Sequence, residues 1–120
     1  MANIKTVYLA GKITGDKKYK QKFKEAARAL ERAGFVVINP AMLPSVGFEY
    51  EAYIRMSVAM LLECEAVCFL SCWYYSPGAR SEWGIAEAHG KEIFYFDEWQ
   101  AGAARVAGGG ADQNGLQYAT

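Results

Sequence analysis

Histidine occurs once in the 120 residues, cysteine and proline three times each, and the formal charges cancel to zero. One histidine and three cysteines make a poor metal-ligand set. Cys64, Cys68 and Cys72 are spaced by four, which misses the usual C-x-x-C knuckle. The run through Cys68 reads as a strand, so Cys68 and Cys72 are expected on one strand face. All three are read as small buried hydrophobes in a reducing compartment. No metal and no cofactor is expected. Zero net charge argues against a nucleic-acid partner. No run of about eighteen apolar residues is present, which excludes a spanning helix and gives no membrane partner. The opening MANIKTVYLAG lacks the pattern of a secretory leader, so a cytoplasmic protein is expected.

What is present is apolar mass: 52% of the residues, enough for one real core in a chain of this length. Charge is unevenly spread. Residues 1–34 hold nine Lys/Arg against three Asp/Glu, and the rest of the chain holds four against ten. That basic third reads as a solvated helix face or as a surface that meets an anion.

The most informative stretch is Cys64–Gly90. Ala66–Leu70 is a short apolar run of strand type, and Trp73, Tyr74 and Tyr75 follow where it should end. Ser76-Pro77-Gly78 then turns into a helix, with proline in the first turn, where its missing N–H would be unpaired anyway. Glu82 lies one turn in, at the carboxyl edge of the sheet, where open α/β sheets bind ligands. An anion there is expected to stay ionised through the helix dipole.

Earlier in the chain, residues 4–10 form a first strand. The loop Gly11-Lys12-Ile13-Thr14-Gly15 follows, with Asp16 as expected N-cap of a helix over about Lys17–Ala33. The loop offers two glycines, a cation and a hydroxyl. It reads either as a phosphate or sugar cradle or as a turn needing positive φ at its glycines. It is neither G-x-G-x-x-G nor a Walker loop. Phe23, Ala26, Ala27 and Leu30 make a helical stripe for the sheet, and Gly34 takes the C′ position. Phe35–Ile38 is a short strand ended by Asn39-Pro40, and residues 41–49 are a loop that shapes one wall of a pocket. A second helix, about Glu49–Glu63, carries Tyr50, Tyr53, Ile54, Val58, Leu61 and Leu62 at helical spacing. Ser57 shares that stripe, as a ligand contact or bonded to the preceding turn. Lys91–Phe96 is a fourth strand. Beyond residue 99 the chain is Gly/Ala-rich, and residues 100–120 are expected as a mobile tail after a single domain over 1–99.

Strands alternating with helices imply a doubly wound, Rossmann- or flavodoxin-like α/β fold with a mostly parallel sheet of four or five strands. So small a sheet suggests a homo-oligomer, a dimer or larger.

The segments VYLAGKITG (Val7–Gly15), GFVVINP (Gly34–Pro40) and GARSEWGIAEAHGKEI (Gly78–Ile93) together resemble the nucleoside 2-deoxyribosyltransferase superfamily. The likeness includes its deoxynucleoside 5′-monophosphate N-glycosidase branch and related small domains. It implies cleavage or transfer at the N-glycosidic bond of a nucleoside or nucleotide, a small-molecule partner. By the same resemblance Glu82 is the nucleophile and Tyr8 orients it. Ser76 and the Gly11–Gly15 loop would hold phosphate or sugar. Asn39, Ser57, Trp73, Gly78 and Arg80 complete the expected substrate contacts, with Trp73, Tyr74 or Tyr75 stacking on the base. A carboxylate beneath C1′ suits this chemistry, because positive charge builds on the sugar as the bond breaks. Two departures stand out. Where the superfamily has an aspartate on the second helix, eight residues before Glu65, this chain has Ser57. Arg80 is bulkier than the small residues the active enzymes often have there, and if paired with Glu82 it would leave that carboxylate a structural ion. A nucleotide-binding module without turnover is the alternative expectation, and a protein-interaction domain faced by the aromatics at 73–75 is a third.

Overall fold

The computed structural model describes residues 5–107. Four strands, β1 (Thr6–Ala10), β2 (Val36–Ile38), β3 (Ala66–Phe69) and β4 (Glu92–Tyr95), form one all-parallel sheet in the order β2-β1-β3-β4. Helices α1 (Tyr19–Arg32), α2 (Tyr50–Glu63) and α3 (Pro77–Ala88) make the crossovers, and α4 (Phe96–Ala107) follows β4. The fold is the doubly wound α/β class expected from the alternation of elements.

The two-residue period of β1 sorts the core. Val7 and Leu9 point to one face, where they pack with Phe23, Ala26, Ala27 and Leu30 of α1 and Trp99 of α4. Tyr8 and Ala10 point to the other, with Val67, Phe69, Leu61 of α2 and Ala86 of α3. The predicted α1 stripe is therefore the buried one. In register Tyr8 sits beside Ile38 on one flank and Val67 on the other. The chain moves outward from β1 to β2, then returns across to β3. The sheet order thus reverses between β1 and β3, and the loops leaving their carboxyl ends part there to open a crevice.

Several local expectations change. Asp16 does not cap α1: Lys18 occupies the cap position without a side-chain bond. The Asp16 carboxylate instead accepts from the Lys18 N–H at 2.9 Å and the Lys22 ammonium at 2.8 Å, closing the turn before the helix. Gly34 and Gly90 do adopt positive φ just past α1 and α3. Cys72 lies beyond β3, in the following turn, where its sulfur accepts from the Lys12 N–H at 3.4 Å. Cys64 and Cys68 are buried thiols, and burial pushes both up in pKa. The segment expected as a tail from residue 100 begins inside α4, which docks through Trp99 against Phe35 at 6.1 Å. Residues 108–120 of that segment lie outside the described residues. Among the described residues no helix is long and apolar enough to cross a membrane, and no cluster of three metal-ligating side chains occurs.

Candidate active site

The crevice at the β1–β3 switch point opens into a cleft of about 560 Å³. Its floor is the carboxyl end of β1, from Tyr8 to Ala10, continuing into Gly11, Lys12, Ile13 and Thr14. One wall is the first turns of α2. The other is the start of α3, from Ser76 to Glu82.

Tyr8 and Glu82 meet at its inner end. The Tyr8 hydroxyl donates to Glu82 Oε2 at 2.7 Å, joining β1 to α3. Burial drives Glu82 up to about 7, against the Tyr8 hydrogen bond, which lowers it. This corrects the expectation of a firmly ionised glutamate. Ser76 is the N-cap, so Glu82 lies in the second turn, past the reach of the helix-end charge, and desolvation wins. Tyr8 is raised well above the usual phenol range, first by burial and then by the neighbouring carboxylate. Its proton therefore stays on oxygen and remains available to Glu82. Ser57 faces the same phenol from α2 and weakly opposes that rise.

Ser76 serves the helix first. Its Oγ accepts from the Ala79 N–H at 3.1 Å, with Pro77 in the first turn. The hydroxyl hydrogen remains to donate into the cleft, which Ser76 lines together with Gly78. Gly11 is kept by close packing, not by positive φ. A Cβ there would stand 3.2 Å from Leu70 Cβ and 3.3 Å from Phe23 Cζ. Only Gly15 of the two loop glycines has positive φ, at 86°.

Of the expected contacts, Tyr8, Gly11, Lys12, Ile13, Thr14, Ser57, Ser76, Gly78 and Glu82 line the cleft together. Four do not. Gly15 turns the loop just outside it, beside the Lys12 side chain. The Asn39 carboxamide is occupied as a cap, accepting from the Ala41 N–H at 2.9 Å. Trp73 stacks on Trp83 at 6.5 Å and 14°, within a cluster holding Phe69 and Tyr95, and stays off the cleft lining. Arg80 turns outward, donating to the Tyr74 carbonyl at 2.6 Å with its guanidinium 5.6 Å over the Tyr74 ring. It makes no ion pair with Glu82, so that carboxylate is not tied to the guanidinium.

Besides Tyr8, the aromatics that do line the cleft are Tyr19, Phe23, Tyr50, Tyr53 and Tyr75. Tyr50 and Tyr53 belong to the helical stripe of α2. The clue was in the stripe itself: Tyr50, Tyr53 and Ser57 put three hydroxyls on one face, unsuited to a dry core. The 41–49 loop forms part of the rim through Leu43, Pro44 and Ser45, as expected. It is tied down by the Tyr53 hydroxyl, which donates to the Pro44 carbonyl at 2.7 Å.

A family model described as a domain of unknown function, DUF4406, matches residues 5–95. The chain belongs to the DUF4406 family. That match takes in all four strands and the whole of the Tyr8–Glu82 site. No curated protein matches the sequence. Among solved structures, this DUF4406 chain resembles a 2-deoxyribosyltransferase from Bacillus psychrosaccharolyticus. The TM-score is 0.60 at 20% identity, over 75% of this chain and 70% of that one. The likeness establishes a nucleoside 2-deoxyribosyltransferase-like fold for the DUF4406 domain.

Proposed function

We propose that the protein cleaves, or transfers across, the N-glycosidic bond of a nucleoside or nucleoside 5′-monophosphate, with Glu82 as nucleophile. The observation that carries this is the part-buried Tyr8–Glu82 hydrogen bond in a cleft large enough for such a ligand. One carboxylate oxygen is held by the phenol, which leaves the other to attack C1′. The C1′–N bond breaks as a glycosyl ester forms, and water or a second base then releases the sugar. Lys12, Thr14 and the Ser76 hydroxyl, all on the cleft lining, suit a phosphate or sugar hydroxyls. The shared fold with a 2-deoxyribosyltransferase supports the same reading.

The test is free base released from a panel of nucleosides and their 5′-monophosphates, with and without an acceptor base. Release that vanishes in Glu82→Gln supports the proposal; none from wild type, or equal release by the variant, refutes it. A second reading is favoured by Ser57, a hydroxyl where an acid would assist the leaving base: a nucleotide-binding module without turnover. It requires ligand-induced thermal stabilisation with no base released.

A further inference from the structure

The lining of the cleft is chemically lopsided. Among the described residues its carboxylate is Glu82 alone. Its other proton-bearing side chains are hydroxyls of Tyr, Ser and Thr and the Lys12 ammonium, weaker acids as classes than a carboxyl. Two of the phenol protons are committed, that of Tyr8 to Glu82 and that of Tyr53 to the Pro44 carbonyl. A neutral base leaves as an anion unless it is protonated, and such proton transfer is worth roughly 10²–10⁴-fold. A base that already carries positive charge leaves as a neutral molecule and needs no acid. The same lining presents Tyr50, Tyr53 and Tyr75, whose faces attract a flat cation.

We infer that the substrate is an N-glycoside whose heteroaromatic base is already cationic, a pyridinium or N-alkylated purine nucleoside or nucleotide. This rests on the glycosidic reading above and deepens it. Glu82 forms a bond to C1′ as the C1′–N bond breaks. The electron pair of that bond goes to the ring nitrogen and cancels the positive charge. Water then attacks C1′, the ester opens to restore the Glu82 carboxylate, and one proton passes to solvent. Each turnover by hydrolysis thus yields neutral base, free sugar and a proton. Burial also makes the ionised glutamate costly in the empty cleft, and a positive ring drawn in beside it favours the charged form. A cationic substrate therefore activates its own nucleophile, and a neutral one does not. The titratable side chains that share the cleft lining with Glu82 are Tyr8 on β1, Tyr19 on α1, Tyr50 and Tyr53 on α2, Tyr75 before α3 and Lys12 in the loop, and of these Tyr8 bonds it directly.

Guanosine and 7-methylguanosine, which differ by a methyl group and a charge, are the matched probes, with nicotinamide riboside as a pyridinium example. Base release is read by chromatography for wild type and Glu82→Gln. The expected kcat/KM favours 7-methylguanosine over guanosine by at least about a hundredfold, the lower bound of what proton transfer to a leaving base is worth. A smaller ratio overturns this inference and leaves the glycosidic reading standing. Release from none of the three, or release that survives in Glu82→Gln, overturns both. Tyr50→Leu and Tyr75→Leu are each expected to raise KM for 7-methylguanosine by about two- to fivefold, more than they weaken inhibition by guanosine. Equal loss of both would overturn the tyrosine-cation part of the inference.

Discussion

Tyr8 of β1 and Glu82 of α3 share one proton-donating contact of 2.7 Å, and it is the one side-chain hydrogen bond among the described residues that links these two elements. It ties the site's chemistry to the packing of a helix on a sheet.

Stability should therefore depend on pH through Glu82. Its pKa in the folded protein, about 7, lies above the ordinary 4.5, so the folded state binds the proton more tightly than the unfolded state. The contribution is fully present below about pH 4.5, is lost as pH rises toward 7, and then levels off. At about 1.4 kcal/mol per pKa unit the total is about 3 kcal/mol. Glu82→Gln should flatten this part of a Tm-against-pH curve. An unchanged slope between pH 5 and 7 contradicts the burial of an ionisable carboxyl here.

Tyr8→Phe removes the bond that lowers the Glu82 pKa. In the proposed reaction attack needs the ionised glutamate, so wild-type kcat/KM should rise with pH through about 7. In the variant that limb should move to higher pH, with an unfolding penalty of about 1 kcal/mol. A profile that falls without shifting would show that the phenol does not tune the carboxyl.

Ser76→Ala should lower stability by about 1 kcal/mol through loss of the α3 cap. If the free hydroxyl hydrogen also meets phosphate, affinity for 5′-monophosphates should fall more than for the matching nucleosides. Calorimetric binding of both forms checks this, and equal losses confine Ser76 to capping.

The crevice was foreseeable from sequence because alternating strands and helices leave few topologies, the glycine loop follows β1 directly, and Ser76 and Glu82 open the helix after β3. Elements that approach from a distance were harder to place. Trp73 sits at the expected strand end, yet its ring turns toward Trp83 and Tyr95, partners that lie ten and twenty-two positions further on. Arg80 is two residues before Glu82, but on a helix that spacing points the two side chains apart. Tyr50 and Tyr53 were given to the core by periodicity alone, which cannot tell a face that meets a sheet from one that meets a cleft. α4 was missed because its Ala/Gly composition hides a single large anchor, Trp99.

That anchor is testable. Trp99 is 4% exposed, and Trp99→Ala should cost about 3–5 kcal/mol, read by denaturant unfolding. Its buried indole N–H has no hydrogen-bond partner among the described residues, so Trp99→Phe should be far milder. Similar losses for the two would argue that α4 does not dock as described.

Gly11→Ala should destabilise by about 1–3 kcal/mol, because the new methyl meets a β-carbon and a ring edge at 3.2 and 3.3 Å. Wild-type melting behaviour in the variant would mean the loop yields freely.

The link from the Tyr53 phenol to the Pro44 carbonyl staples the mouth of the crevice to the helix behind it. Residues 45–47 hang beyond that staple like a replaceable visor. Swapping them, Ser45 of the cleft lining above all, should reshape the entrance while Glu82 keeps its place, which makes this short stretch a handle on what is admitted.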